Sequence, residues 1–217
     1  MERPASRTAR TAQIIIGLLL TLGCASLPIS AWEDEFAGVG HLVGYEVIWW
    51  ALVALVLLYV RFVEGRPLES IGFRRLDLKG GLLAIAGAVV MLAGLAGIYY
   101  LVFPALHLNE EPQLNQLINT PFWWRVISVV RAAVAEEILF RGYPIERIRE
   151  LTGSLTVAAV VSCAIFALAH VGAWGWSHLL LAGFGGVILT VLYLWRRNLW
   201  VNMITHFIVD GTAILLG

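Results

Sequence analysis

Charge is scarce in this chain of 217 residues: Asp, Glu, Lys and Arg make up 14% of it, against 59% hydrophobic residues. A soluble domain carries about a quarter charged residues. That shortage, with a mean hydropathy of +0.81, excludes a soluble globular domain and points to an integral membrane protein. The 15 basic and 15 acidic residues cancel, so charge gives no argument for a nucleic-acid partner. Lysine is nearly absent: every basic residue but Lys79 is arginine, a bias of the kind high-GC bacterial genomes produce. Only two cysteines occur, Cys24 and Cys163, both in apolar segments, which argues against a disulfide framework. Internal repeats and low-complexity tracts are missing too.

What is abundant is apolar sequence in lengths that match a bilayer. Windows of about 20 apolar residues predict an all-α, polytopic transmembrane bundle of about seven spans, near 12–32, 42–62, 81–104, 123–140, 155–172, 177–195 and 199–216. Arg3, Arg7 and Arg10 precede the first span, and Glu33, Asp34 and Glu35 follow it. Arg61, Arg66, Arg74, Arg75 and Lys79 surround the loop after the second, while Glu110 and Glu111 come after the third. Arg141, Arg147 and Arg149 follow the fourth, and Arg196 and Arg197 the sixth. All 15 basic residues except Arg125 and Arg131 then share one side, which the positive-inside rule makes cytoplasmic, with the N-terminus on that side. The basic start, and Ile29-Ser30-Ala31 before a charged loop, resemble a cleavable signal peptide. The apolar run from Ile14 almost to Ala31 is long for one, so a retained helix is expected. Residues 1–110 are read as N-terminal helices (spans 1–3) and 111–217 as a core of spans 4–7.

Ionisable groups inside apolar segments are costly and mark function by default. Glu136 and Glu137 stand in Arg131-Ala-Ala-Val-Ala-Glu-Glu-Ile-Leu-Phe-Arg141; His170 lies in the fifth span, and His206 and Asp210 in the seventh. On a helix Glu137 and Arg141 share a face and can pair, whereas Glu136 is turned about 100° away. One acid is therefore available for structure and the other for chemistry. An antiparallel hairpin centred near Gly153, in Thr152-Gly153-Ser154, places position 136 opposite 170; it requires the fourth helix to run on to about 150, past Pro144, a kink site. Asn202, His206 and Asp210 follow at i, i+4 and i+8 and form one polar stripe, where an Asp one turn from a His can orient or charge its ring. Arg131 needs a partner, with Glu137, Asp210 and Glu46 all candidates. His178, beside Trp174 and Trp176, reads as an interfacial residue of an outer loop. Gly183, Gly185 and Gly186 are placed for close helix approach.

Together these residues resemble the type II CAAX-prenyl-endopeptidase and bacteriocin-processing family of intramembrane proteases, called CPBP or Abi. The family pattern Glu-Glu-x-x-x-Arg, Phe-x-x-x-His, His-x-x-x-Asn appears as Glu136-Glu137-Ile-Leu-Phe-Arg141, Phe166-Ala-Leu-Ala-His170 and His206-Phe-Ile-Val-Asp210. The likeness covers about residues 120–217, and Asp210 departs from the commoner Asn. The resemblance implies hydrolysis of a peptide bond in a membrane-delivered, lipidated or unlipidated, peptide or protein. Glu136 would activate water with His170, while His206 and Asp210 stabilise the oxyanion, with Glu137 in the same catalytic set. Arg141, Phe166 and Asn202 are read as structural support. Two His and one Glu also form the ligand set of many catalytic zinc sites. The absence of HExxH and the resemblance favour a metal-free site with no cofactor. Expected partners are the substrate and membrane lipid, in a bacterial inner membrane. Two other readings compete: a noncatalytic immunity or scaffold protein of the same fold, and a proton-coupled transporter. The second lacks the repeats and interrupted helices usual in transporters.

Overall fold

A computed structural model describes residues 6–26, 39–108 and 117–216. Glu33–Glu35, Glu110, Glu111, Arg3, the Ile29-Ser30-Ala31 stretch and the expected boundary at 110/111 lie outside the described residues. Among the described residues every regular element is helical. Helix α1 spans Arg7–Leu18, α2 Val39–Leu58, α3 Leu78–Gly97, α4 Phe122–Arg131, α5 Tyr143–Thr152, α6 Leu155–Trp174, α7 His178–Arg196 and α8 Leu199–Leu215. A π-helical stretch, Ala132–Gly142, joins α4 to α5 without a break, and single π turns extend α1, α2 and α3.

Four helical stretches are long and apolar enough to cross a membrane: Leu42–Val63, Leu78–Ala105, Leu155–Trp174 and His178–Arg196. Helix α8 is apolar but shorter. The expected spans near 12–32 and 123–140 are not among the four. The first is described only as far as Ser26, and the second carries too many charges. The rod from α4 to α5 carries its charge inward, with Glu137, Arg141 and Arg147 at most 2% exposed, while Phe122, Trp123 and Ile127 of α4 face outward.

The sidedness of α3 shows how such a fold is held. Gly80, Ala84, Gly87, Ala88 and Met91 face inward, while Leu82, Ile85 and Val89 are exposed. A soluble helix would bury the large residues. In lipid the large ones are solvated outside, and small ones let backbones approach. Gly185 and Gly186 work this way, since a Cβ there would stand 2.7 Å from Met91 Cε and 3.0 Å from Phe166. Gly183 does not, having nothing within 4 Å.

Helix ends follow their capping residues. Asp77 Oδ1 accepts from the Gly80 amide at 2.7 Å to start α3, and Ser154 Oγ accepts from Val157 N to start α6. Gly153, with φ of 72°, closes α5 in the left-handed conformation. The hairpin thus turns where the sequence placed it, and the helix does run on to Thr152. Pro144 does not break it. It sits in the first turn of α5, and the Phe140 carbonyl, which Pro144 has no N–H to serve, accepts the Ser162 hydroxyl of α6. That bond pins α6 to the rod.

Candidate active site

Glu137 is fully enclosed, and all its partners are cations or donors. Arg141, one turn along, reaches Oε1 at 3.0 Å. The His206 ring meets Oε1 through Nδ1 at 2.9 Å, and Asn202 donates from Nδ2 to Oε2 at 2.9 Å. Asn202 also donates to the Leu189 carbonyl at 2.7 Å, which ties α8 to α7. The Arg141 guanidinium lies 3.8 Å over the Phe166 ring, a desolvated cation–π contact. Phe166 in turn packs edge-on against Phe140, centroids 5.3 Å apart. Glu137, Arg141, Asn202 and Phe166 thus form a scaffold whose visible product is the orientation of His206. Glu137 does not line the cavity described next.

Glu136 does. Its carboxylate turns to the other side of the rod, into a cavity of about 1260 Å³ that His170, His206 and Asp210 also line. Oε2 stands 3.7 Å from His170 Nε2 and 3.9 Å from His206 Nε2. It is buried and has no hydrogen-bond partner among the described residues. Nδ1 of His170 donates to the Phe166 carbonyl at 2.8 Å. That bond orients the ring and leaves Nε2 facing Glu136. The His206 ring has a carboxylate at each nitrogen, Glu137 at Nδ1 and Asp210 Oδ2 at Nε2, 3.3 Å away. It is placed to donate from both, as an imidazolium does. The sequence reading gave Asp210 the task of holding this ring; the closer contact at Nδ1 belongs to Glu137.

Arg131 takes Glu46 as its partner, Nε to Oε1 at 3.0 Å, rather than Glu137 or Asp210. Glu46 is correspondingly buried. His178 is also corrected. It opens α7 and lines the cavity, its ring 6.0 Å from that of His170 and nearly parallel, with Trp174 stacked 5.1 Å away. An outer-loop assignment missed it because Gly175 breaks the helix between the two histidines. The only sequence signal was the spacing of eight residues from His170 to His178.

A second polar layer lies at the end of the bundle away from the cavity, where Arg10 and Arg66 both bind Glu150, at 2.6 and 2.7 Å. These hydrogen bonds, that from Arg66 first, hold the Glu150 carboxyl at about 2. Arg147 binds Glu64, Arg197 binds Glu146, and Arg196 binds Asp77 at 2.6 Å. The Gly80 amide and then Arg196 keep the Asp77 carboxyl below its ordinary range.

Among the described residues, no group of three or more His, Cys, Asp or Glu side chains is disposed to hold a metal ion. Zinc bonds of about 2.0–2.2 Å set tetrahedral neighbours about 3.4 Å apart. The two imidazole Nε2 atoms stand 3.7 and 3.9 Å from Glu136 Oε2.

These observations define an all-helical integral membrane protein with a buried carboxylate–imidazole centre at the wall of a large cavity. Residues 118–212, somewhat under half of the chain, match the family model described as type II CAAX prenyl endopeptidase Rce1-like, a match that supports membership of the CPBP family of intramembrane proteases. The match spans every residue of the centre, from Glu136 to Asp210. No curated protein and no solved structure matches the chain.

Proposed function

We propose that this chain is an intramembrane endopeptidase in which Glu136 activates the water that attacks the peptide carbonyl. The observation that carries this reading is the unpartnered Oε2 of Glu136 between two imidazole Nε2 atoms on the cavity wall. A water held at the apex between Glu136 and His170 gives up a proton to the carboxylate as its oxygen bonds to the carbonyl carbon. The electron pair of the C=O moves onto oxygen, forming a tetrahedral oxyanion. His206, fixed by Glu137 and with Asp210 beside it, is the donor to that oxyanion. Preorganised donors of this kind contribute about 3–4 kcal/mol each. On collapse the C–N bond breaks, and the proton held by Glu136 passes to the leaving amine. No metal enters this scheme, and the protein's own residues supply base, donor and scaffold.

The cavity, at about 1260 Å³, exceeds the roughly 300–1,000 Å³ of small-molecule pockets, which supports a peptide substrate, with or without a lipid chain. The layer of arginines tied to Glu64, Asp77, Glu146 and Glu150 supports a single basic side and a cytoplasmic N-terminus. With the arginine-biased composition it also supports a bacterial plasma membrane.

Glu136→Gln tests the reading, because Gln keeps the shape but takes no proton from water. Reconstituted wild-type protein is expected to cleave members of a membrane-peptide library, and the variant to fold normally and cleave none. Undiminished cleavage by the variant would sink the assignment of Glu136 as base.

A further inference from the structure

Asp210 brings the cavity a charge that its surroundings do not cancel. It lies on α8 one turn beyond His206, away from the arginine layer, and its side chain, 26% exposed, lines the cavity. Oδ2 meets His206 Nε2 at 3.3 Å, while Oδ1 makes no hydrogen bond among the described residues. Three carboxylates converge at the centre, Glu136, Glu137 and Asp210, against two cations, Arg141 and the His206 imidazolium. Among the described residues Arg131 is the only arginine or lysine on the cavity wall, and Glu46 matches it. Arg125 does not line the cavity; it is spent on the Ile214 carbonyl at 3.1 Å and on the Phe122 ring.

The wall beside this carboxylate suits a cation. Val209 and Ala213, its neighbours on α8, line the cavity with it, so a charge there is screened less than in water. Trp174 and His178 line the same cavity as a stacked pair, centroids 5.1 Å apart, and the Asp210 charge is felt at the His178 ring. An indole face attracts cations, and an oxygen without a donor accepts from an ammonium or a guanidinium. From His206 to Asp210 is one helical turn, about 6 Å of rise. That is about two residues of extended chain at about 3.3 Å each.

We infer that Asp210, with the Trp174–His178 stack, forms a subsite for a cationic side chain of the substrate, arginine or lysine, within about two residues of the bond that is cut. This rests on the peptidase reading above and names the substrate class of that site. The commoner Asn at this position would bring no such charge. The subsite also acts during the reaction. As the oxyanion draws the His206 Nε2–H toward itself, Asp210 gives up its contact with that atom, and the substrate's cation supplies the counter-charge in its place.

The test uses a palmitoylated, fluorescent, otherwise uncharged peptide with one arginine stepped along it, and the same series with citrulline, its neutral isostere. Binding to the full-length Glu136→Gln protein in uncharged micelles is read by anisotropy; this background removes the other carboxylate of the cavity wall. Cleavage by wild type is read separately. In the best register arginine should bind at least about tenfold more tightly than citrulline, the scale of a charge-assisted hydrogen bond. Adding Asp210→Asn should bring that ratio to about one, and Trp174→Leu should narrow it about twofold to fivefold. The Trp174 variant carries the same test if the Asp210 variant fails to fold. Equal binding in every register, binding of neither series, or a ratio untouched by these substitutions overturns the subsite. Phosphatidylethanolamine competing as well as the arginine peptide overturns the peptide assignment in favour of a cationic lipid headgroup. Equal cleavage of the arginine and citrulline series removes the subsite and leaves the peptidase standing; preferential binding of arginine with no cleavage does the reverse.

Discussion

Replacing Arg141 by Met should cost about 3–5 kcal/mol of stability, because it leaves the Glu137 carboxylate buried without its cation. Both side chains of the pair are fully buried, 3.0 Å apart. Glu137 keeps Asn202 and His206 as partners, which holds the loss to that range. Glu137→Gln should cost slightly less, about 3 kcal/mol, since Gln can still meet Asn202 while Arg141 is left charged over Phe166. The double variant should cost far less than the sum. Arg141 already carries buried Nε and NH2 groups without partners, so removing the whole pair also removes their desolvation penalty, about 1–3 kcal/mol each. A coupling of about 2–3 kcal/mol follows, at the upper end for contacting residues. The assay is a double-mutant cycle by SDS titration in mixed micelles, followed by tryptophan fluorescence. Additivity within about 0.5 kcal/mol, with stable single variants, would refute the argument that the pair is one buried unit.

Asp210→Asn should retain cleavage within about tenfold, because Asn still offers His206 an acceptor at the 3.3 Å contact and matches the commoner family residue; loss as complete as that of Glu136→Gln would show the charge at 210 to be essential. Chelators should leave activity unchanged and the purified protein should carry no stoichiometric zinc, whereas activity lost to a chelator and restored by zinc would overturn the metal-free mechanism. The Glu150 carboxyl lies at about 2 when bound to Arg66 and Arg10, against 4.5 for a free glutamate. Its stabilisation of the α1–α5 contact is therefore complete above about 4.5 and lost as pH falls toward 2. Proteolysis of α1 should accelerate over that window in the wild type but be pH-independent over it in Glu150→Gln. A wild type that behaves like the variant would refute the link.

Much of the site was legible in the sequence because it is written in helical spacing. Glu137 and Arg141, Phe166 and His170, and His206 and Asp210 each lie four apart, and a helix brings such pairs together whatever surrounds it. The Glu136–His170 meeting was legible too, since one tight turn at Gly153 sets the register of two consecutive helices. The span count was less so. Hydropathy treats 123–140 as one more lipid-facing segment, whereas Arg131 and Glu137 within it find their counter-ions inside the bundle.

The sequence by itself determined the class of protein, its helices and the turn-to-turn pairs, because apolar length and a 3.6-residue period are local properties. Only the tertiary structure decided which carboxylate holds His206, which partner Arg131 takes, and that His178 enters the cavity. Glu137 and His206, or Glu46 and Arg131, are separated by 69 and 85 residues. Contacts at that separation depend on how helices rotate and slide against one another. That is set by where glycines permit close approach and where each buried charge finds its counter-ion.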